Sequence, residues 1–429
     1  MTTGPQRIDT AIIGGGASGL AAAFSCRQAG ATAALVEKDV SLGLKILATG
    51  NGRCNLSNER LSPEHYRNAE FVSAVFGGEP EDSIERFMDE LGLLRTSEDG
   101  RLYPASRRAE SVRDVLLDAL EGDNVQVSCA TTIDKISYDE HEGCWRISGS
   151  RWRGGRPVEA ADKSELRRAR KAMAAGARER WSLRAPTLVV ATGGADESVR
   201  GQLGVRTIEP EPVLCPIACE LMGHGGAKPM PASLDGVRAE ARLSLERGEK
   251  TVWEETGEVL FRGYGISGIA AFDLSRRCRK GDIIAVDLLG DRLAPSTRQI
   301  IGRRLAQGRA DKTLLDGILP RPLAAHVLST VPAVSAEALV PTMRRVRLRV
   351  VGTTEHAQAQ VMRGGIAVEG IDARTCAIRR GSHAGHGLFA AGEAVDVDAD
   401  CGGYNLAWAW ISGLKAGRSA AMLARGANN

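Results

Sequence analysis

A chain of 429 residues, 43% hydrophobic and 25% charged, is long enough for two or three domains with sizeable cores. Its 56 basic and 53 acidic residues leave a net charge of +3, a balance that argues against a protein devoted to holding nucleic acid or an anionic membrane. Fifty glycines beside only 4% aromatics fit many tight turns and backbone packed against a ligand.

The opening stretch, "MTTGPQRIDTAIIGGGASGLAAAF", is broken by Asp9 and by glycines, and it lacks the charged region, apolar run and cleavage site of a signal peptide. Residues 8 to 13 read as a buried strand. The next residues turn into an alanine-rich helix that stops at Gly30, and "TAALVE" follows as a second strand. Gly14, Gly16 and Gly19 thus carry G-x-G-x-x-G spacing inside a strand, helix, strand unit, with Glu37 at the end of the second strand. The first glycine permits the tight turn. The second lets backbone N–H groups, those of Ala17 and Ser18 included, reach a diphosphate, and the third lets helix and strand pack closely. Glu37, followed by Lys38, would accept hydrogen bonds from ribose hydroxyls. The bland alternative is a plain glycine turn between strand and helix. Context favours a dinucleotide, and the motif alone leaves FAD and NAD open.

Farther on, "NGRCNLSN" (51 to 58) packs Asn51, Gly52, Arg53, Cys54 and Asn55 into a glycine-rich loop with no apolar period. "PEDSIERFMDELGLL" and "SRRAESVRDVLLDALEG" read as amphipathic helices around the turn "EDGRLYP". Arg107 and Arg108 are candidates for clamping a carboxylate, against the plainer reading of solvated arginines at a helix start. "VQVSCATTIDKISYDE" and "CWRISGS" alternate as strands, and "APTLVVATGG" is a buried strand ending in glycines. Between them, 151 to 184 is a basic excursion that looks inserted. Its Arg167, Arg168, Arg170, Lys171, Arg178 and Arg180 are expected around a helix, as a solvated face or, in a competing view, an RNA contact. Proline-punctuated β segments begin near 206, and a helical stretch is expected from 296 to 330. The expected organisation is an α/β Rossmann-type domain in two parts, 1–205 and 355–429, with a β-rich and helical domain, 206–354, inserted between them.

Three later features favour FAD. Thr192 and Gly193 in "ATGG" offer a second close backbone approach. Gly392 and Glu393 end a strand with an acid suited to a polyol. "CGGYNLAWAW" then starts a helix at Gly403, Tyr404, Asn405 and Leu406, whose positive end suits the electron-rich edge of a reduced flavin. The nine cysteines are scattered, and only Cys215 and Cys219 lie close, with no second pair at zinc spacing. They read as reduced thiols of a cytosolic protein, with no metal site and no membrane span.

These residues resemble the bacterial BaiN-like or aminoacetone-oxidase-like FAD-dependent oxidoreductases of the glutathione-reductase structural superfamily, over nearly the whole chain. The resemblance rests on "IIGGGASGLAAA", "EKDVSLGLKILATGNGRCNLSN", "GISG" followed by "LSR", "VVGTTEHAQAQVMRGGIAVEGID" and "GLFAAGEAVDVDADCGGYNLAWAWISG". It implies that Lys45, Asn51, Arg53 and Asn55 are polar arms for a flavin, and that Cys54 packs or touches flavin rather than acting as a nucleophile. It also implies a small-molecule substrate, with NADH or NADPH as transient donor. Relatives are linked to oxygen-using amine oxidation and to reduction of unsaturated or oxo steroids, and reduction of a C=C or C=O bond is the favoured expectation. The chain departs from the family at "FRGYGISGIA", where Gly263 and Ile269 replace a histidine and a proline. Tyr264, Tyr103, His356 and His383 are the alternative proton donors. Gly263, Gly265 and Gly268, with Asp287 after "DIIAV", spell a second G-x-G-x-x-G that is expected to be accidental.

Overall fold

Four short apolar runs, Thr10–Ile13, Ala33–Val36, Thr187–Val190 and Leu388–Ala390, are buried throughout, and strands buried on both faces belong in a parallel sheet. The computed structural model, which describes residues 8–154, 163–194, 196–223, 225–353 and 359–426, places them there. Leu388–Ala390, Thr187–Val190, Thr10–Ile13, Ala33–Val36 and Val125–Ser128 lie side by side in that order, with Thr10 opposite both Thr187 and Ala33. This sheet centres the first of two compact units, Met1–Glu211 with Met362–Asn429.

Two helices cover the sheet at the nucleotide motif, and both are rich in small residues for the same reason. The motif helix, Ala17–Gln28, and the closing helix, Tyr404–Gly426, touch backbone to backbone. A Cβ on Gly413 would sit 2.4 Å from the Ser18 carbonyl oxygen, and one on Gly417 would sit 2.2 Å from that of Ala22. The closing helix has no exposed residue over 404–417, as its two tryptophans imply, and exposes Met422 and Leu423 nearer its end. Trp408 Nε1 donates to the Gly392 carbonyl at 2.9 Å, and Trp410 Nε1 to that of Leu56 at 3.0 Å.

Two local readings need correction. Among its described residues the basic excursion is helical over Lys163–Ala175, because "RERWSLRA" alternates with period two and its strand, Arg178–Ala185, pairs antiparallel with Cys144–Trp152. Arg178 and Arg180 therefore lie on a strand. The stretch from 296 to 330 is two helices, Gly290–Ala306 and Arg321–Thr330. Gly308 and Gly317 adopt positive φ between them, and Pro320 sets the new start. "EDGRLYP" contains a hairpin as well as a turn. Asp99 and Gly100, with φ of 52° and 75°, join the strands Arg95–Glu98 and Arg101–Pro104 in the twist a two-residue hairpin prefers.

The second unit, Pro212–Val361, has its own apolar core. Its strands pair antiparallel in the order Gly226–Pro229, Ile217–Gly223, Gly265–Ser267, Lys250–Arg262, Arg238–Arg247, Ile283–Asp287, Val346–Thr353. Ile217–Gly223 also pairs with Val346–Thr353, so six strands close into a barrel without free edges. The second G-x-G-x-x-G falls here, and the barrel explains it. A Cβ on Gly265 would meet the Ile217 carbonyl oxygen at 2.0 Å, and one on Gly268 that of Glu258 at 2.6 Å. Asp287 accepts from the N–H groups of Leu289 and Gly290, and pairs with Arg242 and Arg344. Gly265–Ser267 and Ile283–Asp287 are not neighbours, so no parallel crossover unit surrounds this motif.

The contact between the motif and closing helices generates a direct test. Gly417→Ala is expected to lower stability by about 1–3 kcal/mol through overpacking, and Gly417→Leu to prevent folding. Denaturant titration followed by far-UV circular dichroism measures both, and an unchanged midpoint for Gly417→Ala would refute the close contact.

Candidate nucleotide and redox site

The strand Thr10–Ile13 delivers Gly14 into a turn at φ +108°, where a Cβ would lie 2.2 Å from the Ala191 carbonyl oxygen. Gly19 is equally constrained, with a Cβ position 1.8 Å from the Gly14 oxygen. Gly16 differs from both. No atom lies within 4 Å of its Cβ position, and it starts the motif helix with no capping side chain and no acidic residue in the first turn. The first-turn N–H groups of Ala17, Ser18 and Gly19 have no intrahelical acceptors, so the positive helix end opens onto free space. That arrangement suits a diphosphate.

Glu37 closes the other side of the loop. Its Oε2 accepts from Gly15 N–H at 2.7 Å and its Oε1 from Asp39 N–H at 2.8 Å. Burial pushes its carboxyl upward from the ordinary range, and those two N–H donors oppose the shift. Lys38 turns outward to Asp196, 2.9 Å away.

A second convergence lies where Thr187–Val190 ends. Thr192 Oγ1 is buried there without a hydrogen-bond partner among the described residues. Gly193, at φ +75°, accepts from Arg200, whose side chain is buried and whose guanidinium burial pulls below its ordinary pKa. Glu393 follows Gly392, itself at φ +63°, and its two oxygens are occupied by Met362 N–H and Lys45 Nζ, both at 2.7 Å. Lys45 and Glu393, expected as separate arms, are an ion pair.

The loop "NGRCNLSN" bends through positive φ at Asn51, Gly52 and Cys54. Asn51 and Arg53 are exposed, and Gly52 has open space at its Cβ position. Cys54 is buried, and burial pushes its thiol up to about 11, which leaves it protonated and unsuited to nucleophilic work. The Asn55 amide turns inward. Oriented to satisfy both ends, it donates to the carbonyls of Leu102 and Ser57 and accepts from Gly403 N–H at 3.0 Å. Gly402 and Gly403, at φ of 132° and 96°, lead into the closing helix, and a Cβ on Gly403 would lie 2.2 Å from the Ser57 oxygen. Asn405 ties the preceding loop through Ala399 N–H and carbonyl, and Leu406 packs on the core.

Tyr103 is a buried ring beside this loop, 3.7 Å from the Cβ position of Gly50. The guanidiniums of Arg53 and Arg107 each lie 5.1 Å from its centroid, and Glu98 joins both arginines. The other proton-donor candidates lie on other segments. Tyr264 belongs to the second unit, 37% exposed, with Arg262 over its ring. His383 packs against Trp145, Arg108 pairs with Glu110, and His356 lies outside the described residues.

Sequence reasoning missed a row of buried acids. Asp396, Asp398 and Asp400 face Arg67, Arg363 and His65 respectively, at 3.1, 3.1 and 3.2 Å. His65 also stacks on Tyr404, with centroids 4.2 Å apart. The alternation in "VDVDAD" carried the signal, since period-two acids on a buried segment require partners. Among the described residues no cluster of His, Cys, Asp or Glu is arranged to hold a metal, and no helix is long and apolar enough to cross a membrane.

Residues 8–419 match the family described as HI0933-like protein Rossmann domain. The chain is 30% identical to the 3-dehydro-bile acid delta(4,6)-reductase of Clostridium scindens, covering 96% of this chain and 98% of the relative. It is 26% identical to the ribosomal RNA dihydrouridine synthase of Escherichia coli, covering 95% and 96%. The solved structure of an open flavocytochrome c3 fumarate reductase is similar over 98% of this chain and 79% of that one, at 14% identity and a TM-score of 0.47.

Gly16 holds an extended conformation that any residue adopts, so Gly16→Val is expected to fold with an unchanged unfolding midpoint. It should bind FAD roughly tenfold or more weakly in a fluorescence titration, because its side chain would fill the cradle. Full FAD affinity in that variant would remove the diphosphate from this loop. Cys54 should resist iodoacetamide at pH 8 in the native protein and react once the chain is unfolded, as read by peptide mass spectrometry.

Proposed function

The chain belongs to the HI0933-like Rossmann family and is an FAD-dependent oxidoreductase; we propose that it reduces a C=C bond conjugated to a carbonyl in a small apolar substrate, with NADH or NADPH as electron donor. The observation that carries this reading is the full-length likeness to the bile acid reductase, at 30% identity. A delta(4,6)-reductase of a 3-dehydro-bile acid and a dihydrouridine synthase both, by their names, saturate a C=C bond conjugated to a carbonyl.

The residues fit FAD. The open cradle at Gly16, the uncapped N–H groups of Ala17 to Gly19 and the Thr192 hydroxyl, which has no partner among the described residues, offer donors to a diphosphate and its flanking groups. Glu37 offers a carboxylate to ribose hydroxyls, and the Gly403 end of the closing helix offers a positive dipole to the flavin ring. Bound there, FAD supplies hydride acceptance and donation.

The protein's own contribution is orientation, water exclusion and one proton. Saturating a conjugated C=C bond adds a hydride at the β carbon and a proton at the α carbon, so an acid must face the substrate. Tyr103 Oη is our candidate in the first unit, its ring centroid 5.1 Å from the guanidiniums of both Arg53 and Arg107. Tyr264 remains the candidate from the barrel unit. A base carried in RNA is a second reading, favoured by the dihydrouridine synthase relatives and by the exposed Arg167, Arg168 and Lys171 of the inserted helix.

The anaerobic visible spectrum tests the donor. NADH or NADPH should bleach the yellow protein, and a conjugated enone should restore the colour. Bleaching by an amine and by neither nucleotide would replace the reductase with an oxidase. Tyr103→Phe is expected to slow enone turnover roughly a hundredfold while leaving the rate of bleaching by nucleotide unchanged. Salt-sensitive binding of ribosomal RNA, with no enone turnover, would favour the second reading.

A further inference from the structure

The inserted segment does not stand clear of the first unit. Its helix, Lys163–Ala175, turns Leu166, Ala169 and Met173 partly inward and leaves Arg167, Arg168 and Lys171 exposed. Trp152 fills the base of the insertion, since Cβ atoms on Gly154 and Gly176 would lie 2.5 and 2.0 Å from its ring. Midway along the helix, Arg170 makes a two-pronged contact with Asp39, its Nε lying 3.0 and 3.1 Å from the two carboxylate oxygens and its Nη2 also bonding Oδ2. Planar, two-pronged pairs of this kind are the geometrically specific ones.

Asp39 stands two residues beyond Glu37, and the contacts run on from it into the nucleotide loop. Asp39 N–H donates to Glu37 Oε1, and Glu37 Oε2 accepts from Gly15 N–H. The Asp39 carbonyl accepts from Ala130 N–H at 2.7 Å, and the Glu37 carbonyl from Thr131 N–H at 2.9 Å. Arg178, on the strand that follows the inserted helix, holds the same crossing through the Ala130 carbonyl and the Thr132 hydroxyl. An acid at the end of the second strand of a dinucleotide unit takes the ribose hydroxyls, so the space beyond Glu37 is the adenosine end of the site. Asp39 is a second negative charge beside Glu37 and adds to the upward push on its carboxyl, and Arg170 offsets that charge.

We propose that the inserted helix is part of the adenosine site, with Arg170 as a positioning residue that fixes Asp39 and, through it, Glu37. This helix thereby retains the dinucleotide by its adenosine half, and its exposed basic face is the outer surface of that contact. The inference rests on the FAD reading above and adds the residues that hold one end of the cofactor.

Three variants test it. Arg170→Ala removes the contact, and Arg170→Lys keeps the charge without the fork. Replacing 154–176 by Asn-Gly closes the hairpin beyond the Arg153–Ala177 hydrogen bond and deletes the helix. FAD release from the holoenzyme is followed by the rise in flavin fluorescence on dilution, and ADP affinity is titrated on the flavin-free protein. Arg170→Ala should speed release and weaken ADP by the same factor, about two- to fivefold, with Arg170→Lys between it and the wild type. The hairpin replacement should exceed roughly tenfold on both readouts. Unchanged FAD release in Arg170→Ala and in the hairpin replacement would overturn the proposal, as would faster release with ADP affinity intact, because a general loosening of the fold does not select the adenosine half. A wild-type protein that binds no FAD would instead sink the cofactor reading on which the proposal rests.

Discussion

The approach of two backbones, those of the motif helix and the closing helix, is the constraint on which the first unit depends. Gly413 and Gly417 lie so close to the carbonyls of Ser18 and Ala22 that no side chain fits between them. Ser18 in turn leaves no room for a Cβ on Gly392, whose carbonyl receives the Trp408 indole and whose N–H donates to Ser412. One contact therefore sets the relative positions of the Gly16 turn, the Gly392–Glu393 turn and the positive end of the closing helix. Close-packed interiors transmit small displacements, so a cofactor-binding geometry built this way tolerates little substitution.

Around that contact, charge is arranged to hold loops in register. Asp396, Asp398 and Asp400 are buried, and each meets a basic group from outside its own segment. Such pairs add little net stability over apolar packing, yet breaking one strands a buried charge, so they penalise any slip of the loop that leads into the closing helix. Glu37, Asp39 and Arg170 repeat the principle beside the Gly14–Gly19 turn, in a more solvated setting.

The polar loop "NGRCNLSN" divides into inner and outer parts. Cys54 and Asn55 face inward, one as an inert buried thiol and the other bracing Gly403, while Asn51 and Arg53 stay exposed. The family resemblance implies that Asn51, Arg53 and Asn55 are all arms for a flavin, with Cys54 packing or touching it. Backbone curvature divides them, because Asn51, Gly52 and Cys54 all turn through positive φ.

Local periodicity and glycine spacing determined much in this chain by themselves. The four apolar runs of the parallel sheet, the motif at Gly14, Gly16 and Gly19, and the burial of the first half of the closing helix follow from apolar patterning and glycine spacing. Spacing alone does not separate that motif from its counterpart at Gly263, Gly265 and Gly268, because both have the same pattern and an acid downstream, and only the family resemblance marks the second as accidental. The difference is which strands lie side by side, parallel neighbours in one case and separate staves of an antiparallel barrel in the other. The partners of Asp396, Asp398 and Asp400, the strand that carries Arg178, and the reach of Arg170 to Asp39 were likewise decided only by tertiary structure. Each joins residues distant in sequence, and a pairing across such a separation leaves no periodic trace in either segment.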